Sequence, residues 1–165
     1  MVDIFKIKDI IDEDFVNYKK PSMFIATNTC SFKCELEDIN VKCQNMPIVK
    51  QPTIVINIDN LIKRYLSNDI TKAIVIGGLE PFDQFEELCS FIKMFRNISN
   101  DDVVIYTGYN KDEIIDKVNI LLQYNIKGII IIKYGRFINN GKKRYDDVLG
   151  IELASSNQYA VAYNN

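Results

Sequence analysis

Residues 127–133 read Lys-Gly-Ile-Ile-Ile-Ile-Lys, four isoleucines in succession with charge on either side. A β-branched run this short has no polar alternation, so it cannot show one face to water. It is the pattern of a strand buried on both faces. Runs of the same kind recur at "MFIAT" (23–27), "TIVINI" (53–58), "AIVIGG" (73–78) and "DVVIYTG" (102–108).

Helical patterns lie between the runs. "DNLIKRYLSN" (59–68) predicts a short helix with Asp59 near its start. "PFDQFEELCSFIKMFRN" (81–97) sets Phe85, Leu88, Cys89, Ile92 and Phe95 on one stripe at helical spacing, which assigns Cys89 to the core. "NKDEIIDKVNILLQYN" (110–125) begins with Asn110 as an N-cap, followed by early acids that favour the helix dipole. Strands alternating with helices predict an α/β fold: βαβ units and a mostly parallel sheet with helical cover. The length of 165 residues suits a single domain, 1–165.

In such folds ligands gather outside the carboxyl ends of the strands. The stretch "TNTCSFKCELEDINVKCQNMP" (27–47) follows the first of these strands, "GGLEP" the third and "TGY" the fourth. Three segments far apart in sequence are thus expected on one rim of the sheet.

Composition narrows the chemistry available there. The chain has no histidine, which removes Ser-His-Asp and Cys-His nucleophiles, histidine zinc sites and imidazole acid–base catalysis. No side chain is singled out as catalytic in its own right, and a cofactor is expected to carry any reaction. A net charge of -2 and the absence of a long basic run argue against a nucleic-acid partner, and Lys142-Lys143-Arg144 reads as a solvated loop. The acidic, interrupted N-terminus does not read as a signal peptide, and no apolar run approaches a membrane span, so a cytoplasmic protein is expected. In that compartment clustered cysteines point to metal binding or catalysis before disulfides.

Cys30, Cys34 and Cys43 fall in the loop after the first strand with the spacing C-x3-C-x8-C. Three thiolates from one loop suit an iron–sulfur cluster with one iron lacking a protein ligand. Zinc is the nearest rival, but a structural zinc site needs a fourth ligand. Three unrelated thiols are the third option. The other rim segments also have plain readings. Gly77-Gly78 reads equally as a strand-to-helix turn, Glu80-Pro81 as a helix start, Tyr106 and Tyr109 as packing, and "SSNQ" as a turn or cap.

Taken in order, these segments resemble the radical S-adenosylmethionine (SAM) enzymes. Within them they are similar to the small glycyl-radical activating enzymes, in particular the activating protein of anaerobic ribonucleoside-triphosphate reductase. C-x3-C with a later "CQN" resembles the cluster loop, and "GGLEPF" (77–82) resembles a Gly-Gly-Glu-Pro stretch with Leu79 inserted. "VIYTGY" (104–109), "YGRFINN" (134–140, with Tyr134 in place of an acid) and "ASSNQ" (154–158) resemble three further elements. The family pattern is C-x3-C-x2-C with an aromatic before the third cysteine. Here "ELEDINVK" (35–42) fills the second interval and Lys42 holds the aromatic position, so Cys43 is aligned as the third ligand.

The resemblance implies a truncated, partial (βα) barrel of radical SAM type. It implies a [4Fe–4S] cluster held by Cys30, Cys34 and Cys43, with SAM on the open iron. Reductive cleavage of SAM would then yield methionine and a 5′-deoxyadenosyl radical. Gly77 and Gly78 would admit SAM close to the backbone, and Glu80 would meet its ammonium group. Thr107 and Gly108 would line the nucleoside side, and Ser156 and Asn157 would make further polar contacts. The implied partners are a large glycyl-radical protein, foremost an anaerobic ribonucleotide reductase, and an electron donor such as flavodoxin or ferredoxin. Two alternatives stand beside it: a small-molecule radical SAM enzyme similar to the 7-carboxy-7-deazaguanine synthases, and a non-enzymatic metal module or degenerate scaffold.

Overall fold

A computed structural model describes residues 2–30 and 46–164. Strand β1 (Ile4–Asp14) opens the described chain, followed by β2 (Ser22–Thr27), the short helix α1 (Met46–Val49) and β3 (Ile54–Asn57). Helix α2 (Ile58–Leu66), β4 (Ala73–Gly77), α3 (Phe85–Arg96), β5 (Asp102–Tyr106), α4 (Ile115–Gln123) and β6 (Ile129–Tyr134) come next. A small hairpin, β7 (Arg144–Asp146) with β8 (Ile151–Leu153), precedes β9 (Tyr159–Asn164).

The large sheet runs β3-β1-β2-β4-β5-β6-β9. Its centre, β2-β4-β5-β6, is parallel, whereas β1 and β9 run antiparallel to their neighbours. Strands β3 and β9 stand at opposite ends of the order, so the described sheet is open and does not close into a barrel. The expected α/β class with a mostly parallel central sheet is therefore present.

The apolar runs become strands for the reason their composition suggests. Every residue of β4 is buried, as are nearly all of β5 and β6. "TIVINI" departs from expectation. It forms β3 at the edge of the sheet beside β1, with Ile54 and Val55 exposed, rather than a strand buried on both faces. The N-terminal segment, in which acids interrupt the apolar residues, forms β1 although it is not among the apolar runs that mark strands in the sequence. It is long nonetheless, and it buries Phe5 and Ile7 on one side of an antiparallel pairing.

The three longer helices form close to where the periodicity predicts. Asn57 caps α2 by accepting from the Asn60 N–H, and Asp59 pairs with Lys63 one turn later. Both α3 and α4 begin through a 3₁₀ turn, and Asn110 with Glu113 forms a reciprocal capping box ahead of α4. All three helices pack on one face of the sheet. There Leu88, Cys89, Ile92 and Phe95 meet Ile74, Ile76, Val103, Ile105, Ile130 and Ile132. Cys89 is thus a core residue, as its stripe predicts.

None of the three longer helices lies on the second face. A smaller cluster of Val75, Val104 and Ile131 is covered there by Tyr18, from the segment after β1, and by Leu149 and Leu153 at the small hairpin. Tyr106 ties this cover down, its hydroxyl donating to the Asn17 carbonyl at 2.6 Å.

At the amino ends of the strands Arg96 is fully buried. Its guanidinium donates to Asn125 Oδ1 at 2.6 Å and to the backbone carbonyls of Asp101 at 2.6 Å, Ile129 at 2.9 Å and Ser99 at 3.3 Å. One side chain thereby joins the end of α3 to the starts of β5 and β6. Arg96→Met should destabilise the fold by on the order of 3 kcal/mol, since it strands several buried acceptors at once. Chemical denaturation of the two proteins measures the difference.

Candidate functional site

The carboxyl ends of β2, β4, β5 and β6 face the same rim, because these strands are parallel. The segments singled out from sequence emerge there: Asn28–Cys30 after β2, Gly78–Glu80 after β4, Thr107–Tyr109 after β5 and Gly135–Arg136 after β6. Registration places Ala26 beside Gly77, and Tyr106 beside Lys133, which pairs in turn with Ala160. A Cβ on Gly77 would sit 3.2 Å from the Tyr106 Cβ, so these positions form one row across the second face at the rim.

Gly78 is needed where it stands. Its φ is 82°, and a Cβ there would lie 2.6 Å from that of Ala26. Only glycine lets the chain turn this tightly against the end of β2.

Glu80 is the centre of the arrangement. It caps the 3₁₀ turn Pro81–Gln84, with Pro81 in a first-turn position that proline favours. Its carboxylate accepts from the Phe82 N–H at 3.0 Å and the Gly108 N–H at 2.7 Å. The Thr107 hydroxyl lies 2.9 and 3.0 Å from its two oxygens. The Glu80 N–H donates to the Thr29 carbonyl at 2.8 Å. Glu80, Thr107 and Gly108, expected on one rim, are therefore in direct contact, and Cys30 follows the residue bonded to Glu80. Burial pushes the Glu80 carboxyl up to about 7, against the pull of the donors from Phe82, Gly108 and Thr107.

Gln84, a residue the sequence reading did not single out, fixes the start of the cysteine loop. Its side-chain carbonyl accepts from the N–H groups of Asn28 at 2.6 Å and Thr29 at 2.9 Å. Its amide donates to the Lys6 carbonyl at 2.8 Å and to Glu87 at 2.7 Å. Both ends of the amide are committed, and Cys30 lies half-buried one residue further on. Cys34 and Cys43 lie outside the described residues. Among the described residues no three Cys, Asp or Glu side chains converge as a metal site.

The remaining segments support the turn after β6. Arg136 pairs with Glu113 at 2.6 Å, and its Cγ would lie 3.9 Å from a Cβ on Gly108. Asn157 donates its side-chain amide to the Arg136 carbonyl at 2.8 Å, and Gln158 donates to the Gly135 carbonyl at 3.2 Å. Asn157 therefore joins the rim by holding the Gly135–Arg136 turn, with Ser156 half-buried beside it. Tyr109 donates to Asp83 at 2.6 Å, which links the segment after β5 to the one after β4.

Lys133 was also missed. It is 5% exposed on the last turn-ward row of β6, with its ammonium 3.1 Å from the Gly135 carbonyl and 5.5 Å from the Tyr106 ring centroid. Burial pulls its pKa down to about 8, and the negative charge of Glu80 opposes the drop. The signal in the sequence was a lysine ending an apolar run without ending the strand, which continues to Tyr134.

The family of 4Fe-4S single cluster domains matches residues 21–159, from the residue before β2 to the first residue of β9. No curated protein and no solved structure matches the chain. Among the described residues no helix is long and apolar enough to cross a membrane.

Two outcomes follow from the geometry. Gln84→Leu leaves the Asn28 and Thr29 N–H groups without their acceptor, at a cost of on the order of 2 kcal/mol. Its reconstituted protein should hold less iron than the wild type at unchanged helix content, read by metal analysis and circular dichroism. For Glu80, the folded-state pKa of about 7 exceeds that of an ordinary unfolded carboxyl, so the folded chain keeps a proton the unfolded chain has released. Wild-type stability should therefore fall as pH rises toward 7 and level off above it. Glu80→Gln should lack that slope when denaturation midpoints are compared at several pH values.

Proposed function

The chain belongs to the family of 4Fe-4S single cluster domains, and on that premise we propose that it is a radical SAM activase. Its substrate is a large glycyl-radical protein, foremost an anaerobic ribonucleotide reductase. The observation that carries this reading is the joining of three motif segments by one buried carboxylate. Glu80 holds Thr107 and Gly108 through its side chain and the residue before Cys30 through its N–H.

The residues present fit the cofactors. Cys30, Cys34 and Cys43 are the cluster ligands, with Cys30 placed at the rim by Glu80 and Gln84. A carboxylate offers about four acceptor sites, and Glu80 receives three donors, which leaves one site for the N–H of a ligand ammonium. Gly77 adds no side chain to the floor beside it, and the positive φ of Gly78 lets the turn close against Ala26. Bound together, the cluster and SAM supply one-electron cleavage of a carbon–sulfur bond and hydrogen abstraction from the substrate.

The chain's own residues bind and position. Glu80 orients the ammonium end of the ligand, while Thr107 and Gly108 hold Glu80 in place rather than spending their donors on solvent. The Gly135–Arg136 turn, steadied by Asn157 and Glu113, borders the nucleoside side. The open sheet supports a partial barrel with a side accessible to a loop of a protein substrate.

Anaerobically reconstituted protein should bind about four irons per chain, as a [4Fe–4S] cluster requires. It should release methionine and 5′-deoxyadenosine from SAM under reduction, and substituting serine for Cys30, Cys34 and Cys43 should abolish both. A preparation with its cysteines intact that assembles no cluster overturns the reading. Stimulation of SAM cleavage by a pterin-like small molecule, and not by a glycyl-radical protein, would instead favour the small-molecule enzyme.

A further inference from the structure

Between the turn after β6 and the small hairpin lies the one Asn-Gly step of the sequence, Asn140-Gly141. Residues 138–145 around it are all exposed, so water reaches the step from outside. An asparagine carries its own electrophile, the side-chain amide carbon. The nearest nucleophile is the backbone nitrogen of the next residue, which a Cβ on that residue would shield. Glycine has no Cβ. Gly141 has a φ of 68°, and no atom lies within 4 Å of the place a Cβ would take.

The Asn140 side chain is already turned toward this attack. Its Oδ1 accepts from the Lys142 N–H at 2.9 Å, an Asx turn that curls the side chain back over the Asn140–Gly141 peptide. The same bond draws electron density away from the amide carbon. Other asparagines are held differently. The side-chain nitrogen of Asn125 donates to the Gly128 carbonyl at 3.2 Å, that of Asn157 to the Arg136 carbonyl at 2.8 Å and that of Asn17 to Asp14 at 2.8 Å. None of the three is followed by glycine.

We propose that Asn140-Gly141 is a site of spontaneous covalent modification, at which this segment changes its own charge. Solvent hydroxide takes the Gly141 amide proton, and the Gly141 nitrogen bonds to the Asn140 amide carbon. The Cγ–Nδ2 bond breaks, and the nitrogen leaves as ammonia after taking a proton from water. A second water then opens the succinimide. Opening at Cγ gives aspartate; opening at the backbone carbonyl gives isoaspartate, whose main chain runs through an extra methylene. Either product lowers the net charge by one, from -2 to -3, and puts an acid just ahead of Lys142-Lys143-Arg144. The fold has its own fastening on either side, the Ile138 N–H donating to Ser155 Oγ at 3.2 Å before the site and the β7–β8 pairing after it. Nothing in this chemistry depends on the radical SAM reading.

The test is a time course on the purified full-length protein at mildly alkaline pH, folded and, in parallel, unfolded in urea. Peptide mass spectrometry locates the conversion, and enzymatic methylation of isoaspartate counts that product. A more acidic species should accumulate, with the conversion confined to residue 140, faster at higher pH and no slower in the folded chain than in urea. Asn140→Gln sets the amide carbon one methylene too far for the same ring closure, and should lose the acidic species over the same period. Lys142→Pro removes the N–H that Asn140 accepts. It should slow conversion in the folded chain roughly two- to tenfold, the range one hydrogen bond allows, and leave the rate in urea unchanged. Conversion in urea but not in the folded protein overturns the proposal, as does conversion spread over several asparagines. An unchanged folded rate in Lys142→Pro overturns the part assigned to the Lys142 N–H.

Discussion

A carboxylate withdrawn from water must be surrounded by donors, and that demand organises the carboxyl rim of this protein. Glu80 gathers its donors from its own turn and from the end of β5, and its backbone reaches to the end of β2. The three segments leave the ends of different strands, and Glu80 is what bonds them to one another. Once Glu80 is buried, moving any one of them strands a charge in an apolar setting, which costs far more than the bond itself. Gln84 repeats the device with a neutral group, tying the start of the cysteine loop to β1.

The sheet has unequal faces, and this asymmetry leaves room for a site. Helices α2, α3 and α4 seal one side with most of the core. On the other side, among the described residues, the segment after β1 and the small hairpin lie over Val75, Val104 and Ile131. That cover lies over the middle of the sheet, while the row of Gly77, Tyr106 and Lys133 lies at its carboxyl margin. A doubly wound fold closes both faces with helices; among the described residues this one has a loop segment and a hairpin on the second face instead.

Much of this was legible in the sequence, for identifiable reasons. Strands β4, β5 and β6 are buried on both faces, so their composition alone marks them. "TIVINI" has the same composition but lies at an edge, and only its pairing with β1 decides that. The shared rim of "GGLEP" and "TGY" followed from strand direction. The bonds between them did not, because Glu80 and Gly108 are 28 residues apart and Gln84 and Asn28 are 56 apart. Thr107 and Gly108, expected to line the nucleoside side, also hold Glu80, a bond that only the folded chain reveals. Lys133 looked like the polar boundary of an apolar run, when it is a buried member of the strand.

Arg96 and Glu80 sit at opposite ends of the same strands. The acceptors of Arg96 all belong to the amino-end loops and strand starts of β5 and β6. Lengthening a loop at the carboxyl rim breaks none of those bonds. The two ends are therefore held by separate sets of bonds, and those of Arg96 do not depend on the length of any segment that leaves the carboxyl end. Such a division lets the length of a segment change at one end without re-solving the problem of folding at the other.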